Sequence, residues 1–166
     1  MPEPRLDEED TAAPIERSDA PAALAPRMQS LDVLLLVLAW SAACTVLGVA
    51  AWLRPDPTGH GTHTQLGLPP CGMMVNTGIP CPSCGMTTAF AFAIRGNVIE
   101  SLRAQPFGTL LFLGTVLVAL AAPVALVRRI PVLARMDGAR PVLALKVVAL
   151  LFALAWAWKI ATTLSR

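Results

Sequence analysis

Three long apolar stretches constrain the fold of this chain more than any other feature of its sequence. They cover residues 31–53, 107–127 and 142–164. A helix of about 20 apolar residues crosses the hydrocarbon core of a bilayer, which is roughly 30 Å thick. The pattern therefore predicts an all-α integral membrane bundle with three transmembrane helices.

The few charged residues in these stretches lie near their ends. Asp32 is at the edge of the first stretch, and Lys146 and Lys159 are each a few residues from an end of the third. A lysine at such a position can extend its stem to the interface rather than leave its charge in hydrocarbon. We expect both lysines to reach outward, with Trp156 and Trp158 forming part of an aromatic belt.

The composition supports a membrane domain and argues against nucleic-acid binding. Hydrophobic residues make up 55% of the chain and charged residues 14%, whereas soluble domains carry about 25% charged residues. The basic residues form no stripe with interleaved aromatic residues, the pattern typical of nucleic-acid binding. The expected partners are the lipid bilayer and, as an alternative that stays open, another membrane protein.

The chain divides into a tail and a membrane domain. Residues 1–30 are acidic and proline-rich without apolar periodicity, so a disordered tail is expected there. Residues 31–166 form the membrane domain, which includes a long loop, residues 54–106, called the cysteine loop below. The 128–140 loop contains four arginines, and the positive-inside rule places it in the cytoplasm. The N-terminus is then cytoplasmic, and the cysteine loop faces outward.

Two short helices are predicted within the cysteine loop, from Met86 to Arg95 and from Val98 to Ala104. Each is too short to cross a bilayer, since ten residues give about 15 Å. We expect a re-entrant or interfacial pair on the outer face. Asn97 and Glu100 have the spacing of a capping box for the second helix.

Three of the four cysteines, Cys71, Cys81 and Cys84, lie in the cysteine loop, whereas Cys44 lies within the first span as a small buried hydrophobe. Cys81-Pro-Ser-Cys84-Gly has the form of a zinc knuckle. The candidate metal ligands are these three thiols with a fourth ligand from His60 or His63. Zinc is the cofactor that such a set would take.

Other uses of the same thiols stay open. Cys84 precedes a predicted helix, whose dipole would lower the pKa of its thiol, and Cys81 is placed to attack a disulfide or to resolve a mixed one. A structural disulfide could join Cys71 to Cys81 or Cys84. The thiols could also serve only as small packing groups.

The residues around these thiols resemble a known family. Residues 77–89 read Thr-Gly-Ile-Pro-Cys-Pro-Ser-Cys-Gly-Met-Thr-Thr-Ala, and Arg-Gly-Asn and Gln-Pro-Phe follow before the second span. Over residues 71–127 this pattern resembles the DUF2752 family, small bacterial membrane proteins of undefined function. The resemblance implies a bacterial inner membrane location and supplies no activity. Many members have Thr-Arg where this chain has Thr87-Thr88, so no role of that arginine carries over.

The sequence favours a non-enzymatic membrane component whose outward cysteine loop binds a metal or a partner. No Ser/His/Asp set, carboxylate pair or phosphate-binding loop appears that would indicate an enzyme. Two alternatives stay open. One is a membrane thiol–disulfide oxidoreductase that uses Cys81 and Cys84, and the other is a structural subunit of a membrane complex.

Overall fold

The structure, a computed structural model, describes residues 28–132, 134 and 140–164. Its helices, in chain order, are α1 (Ser30–Trp52), a 3₁₀ helix (Thr62–Leu66), α2 (Gly72–Thr77), α3 (Met86–Ala93), α4 (Val98–Ala104), α5 (Pro106–Val127) and α6 (Arg140–Leu164). No strand occurs among the described residues, and the predicted all-α class is confirmed. Apart from its last three residues, the tail predicted to be disordered lies outside the described residues.

Helices α1, α5 and α6 are long and apolar enough to cross a membrane. Their bounds differ from the predicted spans by at most two residues. The protein buries only 11%, 11% and 6% of the residues in the most apolar windows of these helices, and leucine and valine side chains cover much of their surfaces. Such apolar surfaces can face lipid. The backbone of each helix is also compatible with lipid, because its hydrogen bonds are formed within the helix.

A narrow stripe of small residues on α1 is buried, and it explains the position of Cys44. Ala43 and Ala50 are both buried, two turns apart on one face. Cys44 is the next residue after Ala43 and points about 100° away from that face. It is therefore exposed, and the expectation of a buried thiol was wrong.

The cysteine loop lies at the end of the bundle where α1 finishes and α5 begins. Helix α1 packs along α5, and α3 packs against α4 and α5. Arg95, after α3, donates from Nη2 to the Ala51 carbonyl at 2.9 Å and from Nη1 to Ala50 at 3.3 Å. These bonds satisfy carbonyl groups of the last turn of α1. The short helices are thereby joined to the first span.

The predicted pair of short helices is present as α3 and α4, with differences in detail. Helix α3 ends at Ala93, so Arg95 lies beyond it. The predicted capping box is absent, because Asn97 makes no side-chain capping bond and Glu100 instead pairs with Arg103 at 2.6 Å. The 3₁₀ helix and α2 were not predicted from the sequence. Both are short elements ended by glycines with positive φ.

Candidate metal centre

A tight turn carries Cys81 and Cys84. The Cys84 N–H donates to the Cys81 carbonyl at 3.0 Å, and the Met86 N–H donates to Ser83 at 3.1 Å. Gly85 then takes φ +87°, and a Cβ there would lie 2.6 Å from the Gly59 oxygen and 2.7 Å from the Ala104 oxygen. Only glycine fits this position. The turn is therefore packed directly against backbone on two sides.

Helix α2 places Cys71 beside this turn. Cys71 is its N-cap residue, and its carbonyl accepts the Val75 N–H at 3.0 Å. Gly78, with φ +71°, ends the helix, and the chain then returns through the buried Pro80 to Cys81. The Sγ atoms of Cys71, Cys81 and Cys84 lie within 4.8 Å of one another. We call these three side chains the thiol cluster.

The spacing of the thiol cluster is close to that of a metal–thiolate centre. A Zn–S distance of about 2.3 Å in tetrahedral geometry puts the sulfur atoms about 3.8 Å apart. The Sγ separations of at most 4.8 Å would therefore close by an ångström or less. Cys71 and Cys81 are partly exposed and Cys84 is buried, so the cluster lies just below the protein surface.

Backbone N–H groups favour the thiolate form of Cys71. The N–H of Met74 is the main cause that holds the pKa of Cys71 below its ordinary value, against the opposing effect of burial. The Cys81 thiol, the Cys81 N–H and the Met73 N–H lower the same pKa further. N–H···S hydrogen bonds stabilise a thiolate because they point positive charge at the sulfur.

The environment of Cys84 has the opposite effect. Burial, followed by the nearby Cys81 and Cys71, raises the pKa of the Cys84 thiol to about 11, and Lys159 opposes this rise. The sequence-based expectation of a lowered pKa at Cys84 was therefore wrong. Desolvation of the thiolate outweighs the dipole of the following helix, because Cys84 is only 5% exposed. The thiol with the lowered pKa is Cys71.

The two histidines predicted as alternative fourth ligands, His60 and His63, line different cavities. His63 lines the same cavity as the thiol cluster, but its Nε2 is within 3.1 Å of the Pro69 carbonyl and it lies outside the group of close ligand atoms. His60 faces another cavity, next to α4 and the end of α6. Its Nδ1 is 3.1 Å from the Thr58 carbonyl. Of the two predicted alternatives for a fourth ligand, only His63 lies on the cluster's side.

An apolar cavity of about 640 Å³ opens beside the thiol cluster. All three thiols line it, together with Thr45, Val46, Val49 and Ala50 in the second half of α1 and the C-cap residue Leu53. Because α1 is a membrane-length helix, the cavity extends from the cluster along the side of a span. The exposed side of the cluster faces this cavity.

Three further residues support the cluster, and sequence reasoning did not assign them to it. Gln105 donates from Nε2 to the Pro82 carbonyl at 2.9 Å. Trp156 of α6 donates from Nε1 to the Pro80 carbonyl at 3.0 Å. Lys159 donates to the Ala104 carbonyl at 2.6 Å and is only 7% exposed, so the expectation that it extends outward was wrong. A lysine within an apolar span is the one signal that could have indicated a buried partner.

Three membrane-length helices and a thiol cluster held by short helices at one end of the bundle define a class of small helical membrane protein. Residues 69–119 match the family model described as "Protein of unknown function (DUF2752)", which confirms the resemblance read from the sequence. The matched segment contains the whole thiol cluster and the first two thirds of α5, whereas α1, α6 and both histidines lie outside it. No curated protein and no solved structure matches the chain.

Proposed function

We propose that this chain is a multi-pass protein of the bacterial inner membrane whose outward cysteine loop binds a divalent, thiophilic metal ion. The ligands are Cys71, Cys81 and Cys84, and zinc is the leading candidate. The observation that carries the proposal is the convergence of three Sγ atoms within 4.8 Å of one another. The role is that of a non-enzymatic component of the membrane.

The surroundings of Cys71 support a metal because they favour its thiolate over its thiol. N–H groups of the backbone point at Cys71, as they do at the sulfur ligands of zinc knuckles. Cys84 is buried, and burial disfavours its free thiolate. A bound cation would offset that cost, because metal binding replaces the thiol protons. His63 at the cavity wall supplies a fourth ligand if its ring turns from Pro69.

The environment of Cys84 weighs against Cys84 as the nucleophile in the thiol–disulfide alternative. A nucleophilic cysteine needs an accessible thiolate, whereas Cys84 is buried and its pKa is raised to about 11. A structural disulfide requires an S–S distance near 2.05 Å, which the close Sγ atoms of the cluster can reach with small movements. The disulfide is therefore the outcome against which the metal proposal is tested.

The test is metal analysis of the purified protein together with a thiol count. We expect one zinc ion per chain, and we expect Co²⁺ in its place to give a thiolate-to-cobalt charge-transfer band. The double variant Cys81→Ser with Cys84→Ser should lose the bound zinc and the cobalt band. Cys44→Ala should keep the zinc and the band, because Cys44 lies on α1 outside the cluster. Metal-free protein with two fewer free thiols would show a disulfide. Metal-free protein with four free thiols would exclude both a metal site and a disulfide. The cysteines would then serve only as packing groups.

The proposed orientation is tested by labelling single cysteines in a cysteine-free background. Val75→Cys on α2 is suitable because Val75 is 69% exposed. We expect a membrane-impermeant maleimide to label it in intact cells. Val127→Cys, at the other end of α5 and 84% exposed, is the matched control and should be labelled only after permeabilisation. The reverse pattern would show that the cysteine loop is cytoplasmic.

A further inference from the structure

Lys159 of α6 has a buried ammonium group that bonds to backbone beside the thiol cluster. Lys159 Nζ donates to the Ala104 carbonyl at 2.6 Å and to the Gly59 carbonyl at 3.4 Å. The residue is 7% exposed, although it belongs to a helix that is otherwise largely exposed. Trp156, one turn earlier on the same face, bonds to Pro80 at 3.0 Å. The third span thus holds the cysteine loop at two points.

The same two carbonyl groups locate the ammonium next to the cluster. A Cβ on Gly85 would lie 2.6 Å from the Gly59 oxygen and 2.7 Å from the Ala104 oxygen. Lys159 Nζ bonds to both oxygens, so it lies beside Gly85, the residue that follows Cys84. The charge of Lys159 also lowers the pKa of the Cys84 thiol, against the larger effect of burial.

A charge near the cluster matters because a metal–thiolate centre is itself charged. Three thiolates with a divalent ion carry a net charge of −1, and with a monovalent ion they carry −2. Uncompensated charge in a partly buried site has a large desolvation cost. One ammonium beside Cys84 makes the divalent centre neutral.

We propose that Lys159 is the counter-ion of the metal–thiolate centre, so that the third span supplies the charge that makes the site bind metal tightly. The inference rests on the proposed metal-binding function and adds a positioning residue to it. Lys159 lies outside the segment matched by the family model, so this contribution comes from a part of the chain that the family pattern does not cover.

The experiment measures the affinity of the purified full-length protein for Zn²⁺ and for Cu⁺ at one fixed pH, by competition with chelators. Lys159→Met should weaken Zn²⁺ binding by about 10–100-fold, as loss of a group beside the metal ligands commonly does. It should weaken Cu⁺ binding by about the square of that factor, because the Coulomb energy doubles with the charge of the centre. Lys159→Arg keeps the charge and should restore most of both affinities.

Two variants control for a purely structural effect. Lys146→Met removes the other lysine of α6, which is exposed, and should change neither affinity. Trp156→Phe removes the other bond from α6 to the loop while it keeps the ammonium, and should leave the Zn²⁺ to Cu⁺ ratio unchanged. If Lys159→Met does not fold, Lys159→Gln replaces it, since an amide retains a donor for the Ala104 carbonyl.

The outcomes separate the two proposals. Wild-type protein that binds neither ion would overturn the metal-binding function, and the counter-ion with it. Wild-type protein that binds metal while Lys159→Met binds both ions equally well would overturn only the counter-ion. Equal losses for both ions without rescue by arginine would also overturn it, because a structural support does not depend on the charge of the centre.

Discussion

The cysteine loop and the membrane-length helices differ in where their apolar and polar side chains lie. The spans expose most of their apolar side chains, and few of their residues are buried in the protein. The cysteine loop and the start of α5 instead bury polar side chains, namely Thr62, Thr88, Ser101, Gln105 and Thr109. One region presents an apolar exterior and the other contains a polar interior.

The polar interior contains two sets of hydrogen bonds, one around Thr62 and one around Ser101. Thr62 Oγ1 accepts the Asp56 N–H at 3.0 Å and pairs with Thr88 Oγ1 at 2.8 Å. Ser101 Oγ donates to the Ala89 carbonyl at 2.8 Å. Buried polar groups specify one arrangement strongly, because any shift leaves a group without its partner. Most side chains of the spans have no such requirement, since lipid accepts any apolar surface; the buried Asp32 and Lys159 are exceptions.

The comparison implies that backbone positions in the cysteine loop tolerate far less change than positions in the spans. Three sulfur atoms within 4.8 Å of one another need a fixed backbone, and Gly85, packed against two carbonyl groups, is one fixed point of the loop. The spans need their length, their small contact faces and, on α6, the bonds of Trp156 and Lys159 to the loop. Two matched pairs of substitutions, each with one closely packed and one open position, test whether such contacts fix the loop.

Gly85→Ala should have the largest effect. The new Cβ would meet two backbone oxygens at 2.6 and 2.7 Å, at a φ of +87°. Positive φ together with a clash against rigid backbone should cost about 3 kcal/mol or more. We expect the purified variant to lose metal and to unfold at a lower temperature in detergent, by about 2–4 °C for each kcal/mol.

Gly96→Ala is the matched control for that substitution. Gly96 has a similar φ of +79°, but nothing lies within 4 Å of its Cβ position. Its cost should be limited to the strained backbone, about 1 kcal/mol, with metal content unchanged. Equal effects at the two glycines would show that packing around the turn does not hold the cluster.

The spans and the short helices α3 and α4 could be predicted from the sequence because their signals are local. Apolar runs of bilayer length located three helices to within two residues, and the Cys81–Cys84 spacing indicated a tight turn. The convergence of Cys71 on that turn was a hypothesis from composition alone. Its geometry depends on α2, a helix of six residues, which is too short to give a periodic signal.

The electrostatics of the site could not be predicted, because they arise from tertiary contacts. The pKa of Cys84, expected to be lowered, is raised by its burial, whereas the pKa of Cys71 is lowered by the N–H groups that face it. Lys159 lies 55 residues further along the chain than Ala104, whose carbonyl accepts its hydrogen bond at 2.6 Å. The residues around Lys159 in the sequence do not indicate which loop accepts the hydrogen bond of its ammonium group.

Thr109→Val against Thr115→Val is the second matched pair, with a smaller expected effect. Both threonines lie on α5 and donate to the carbonyl four residues earlier, at 3.2 and 2.8 Å. Thr109 is buried and also pairs with Ser101 Oγ at 2.7 Å, whereas the Thr115 bond is at the exposed surface. Valine keeps the shape of threonine, so each substitution tests the hydroxyl group alone.

Loss of the buried hydroxyl should cost about 1–2 kcal/mol, and loss of the exposed one less than about 0.5 kcal/mol. Thermal unfolding in detergent measures both. A double-mutant cycle with Ser101→Ala then isolates the pair, and we expect a coupling of about 0.5–1.5 kcal/mol at Thr109 and none at Thr115. If Thr109→Val is no more harmful than Thr115→Val, buried hydrogen bonds do not hold the cysteine loop. Its apolar contacts with α1 and α5 would then be the cause of its order, as they are for the spans.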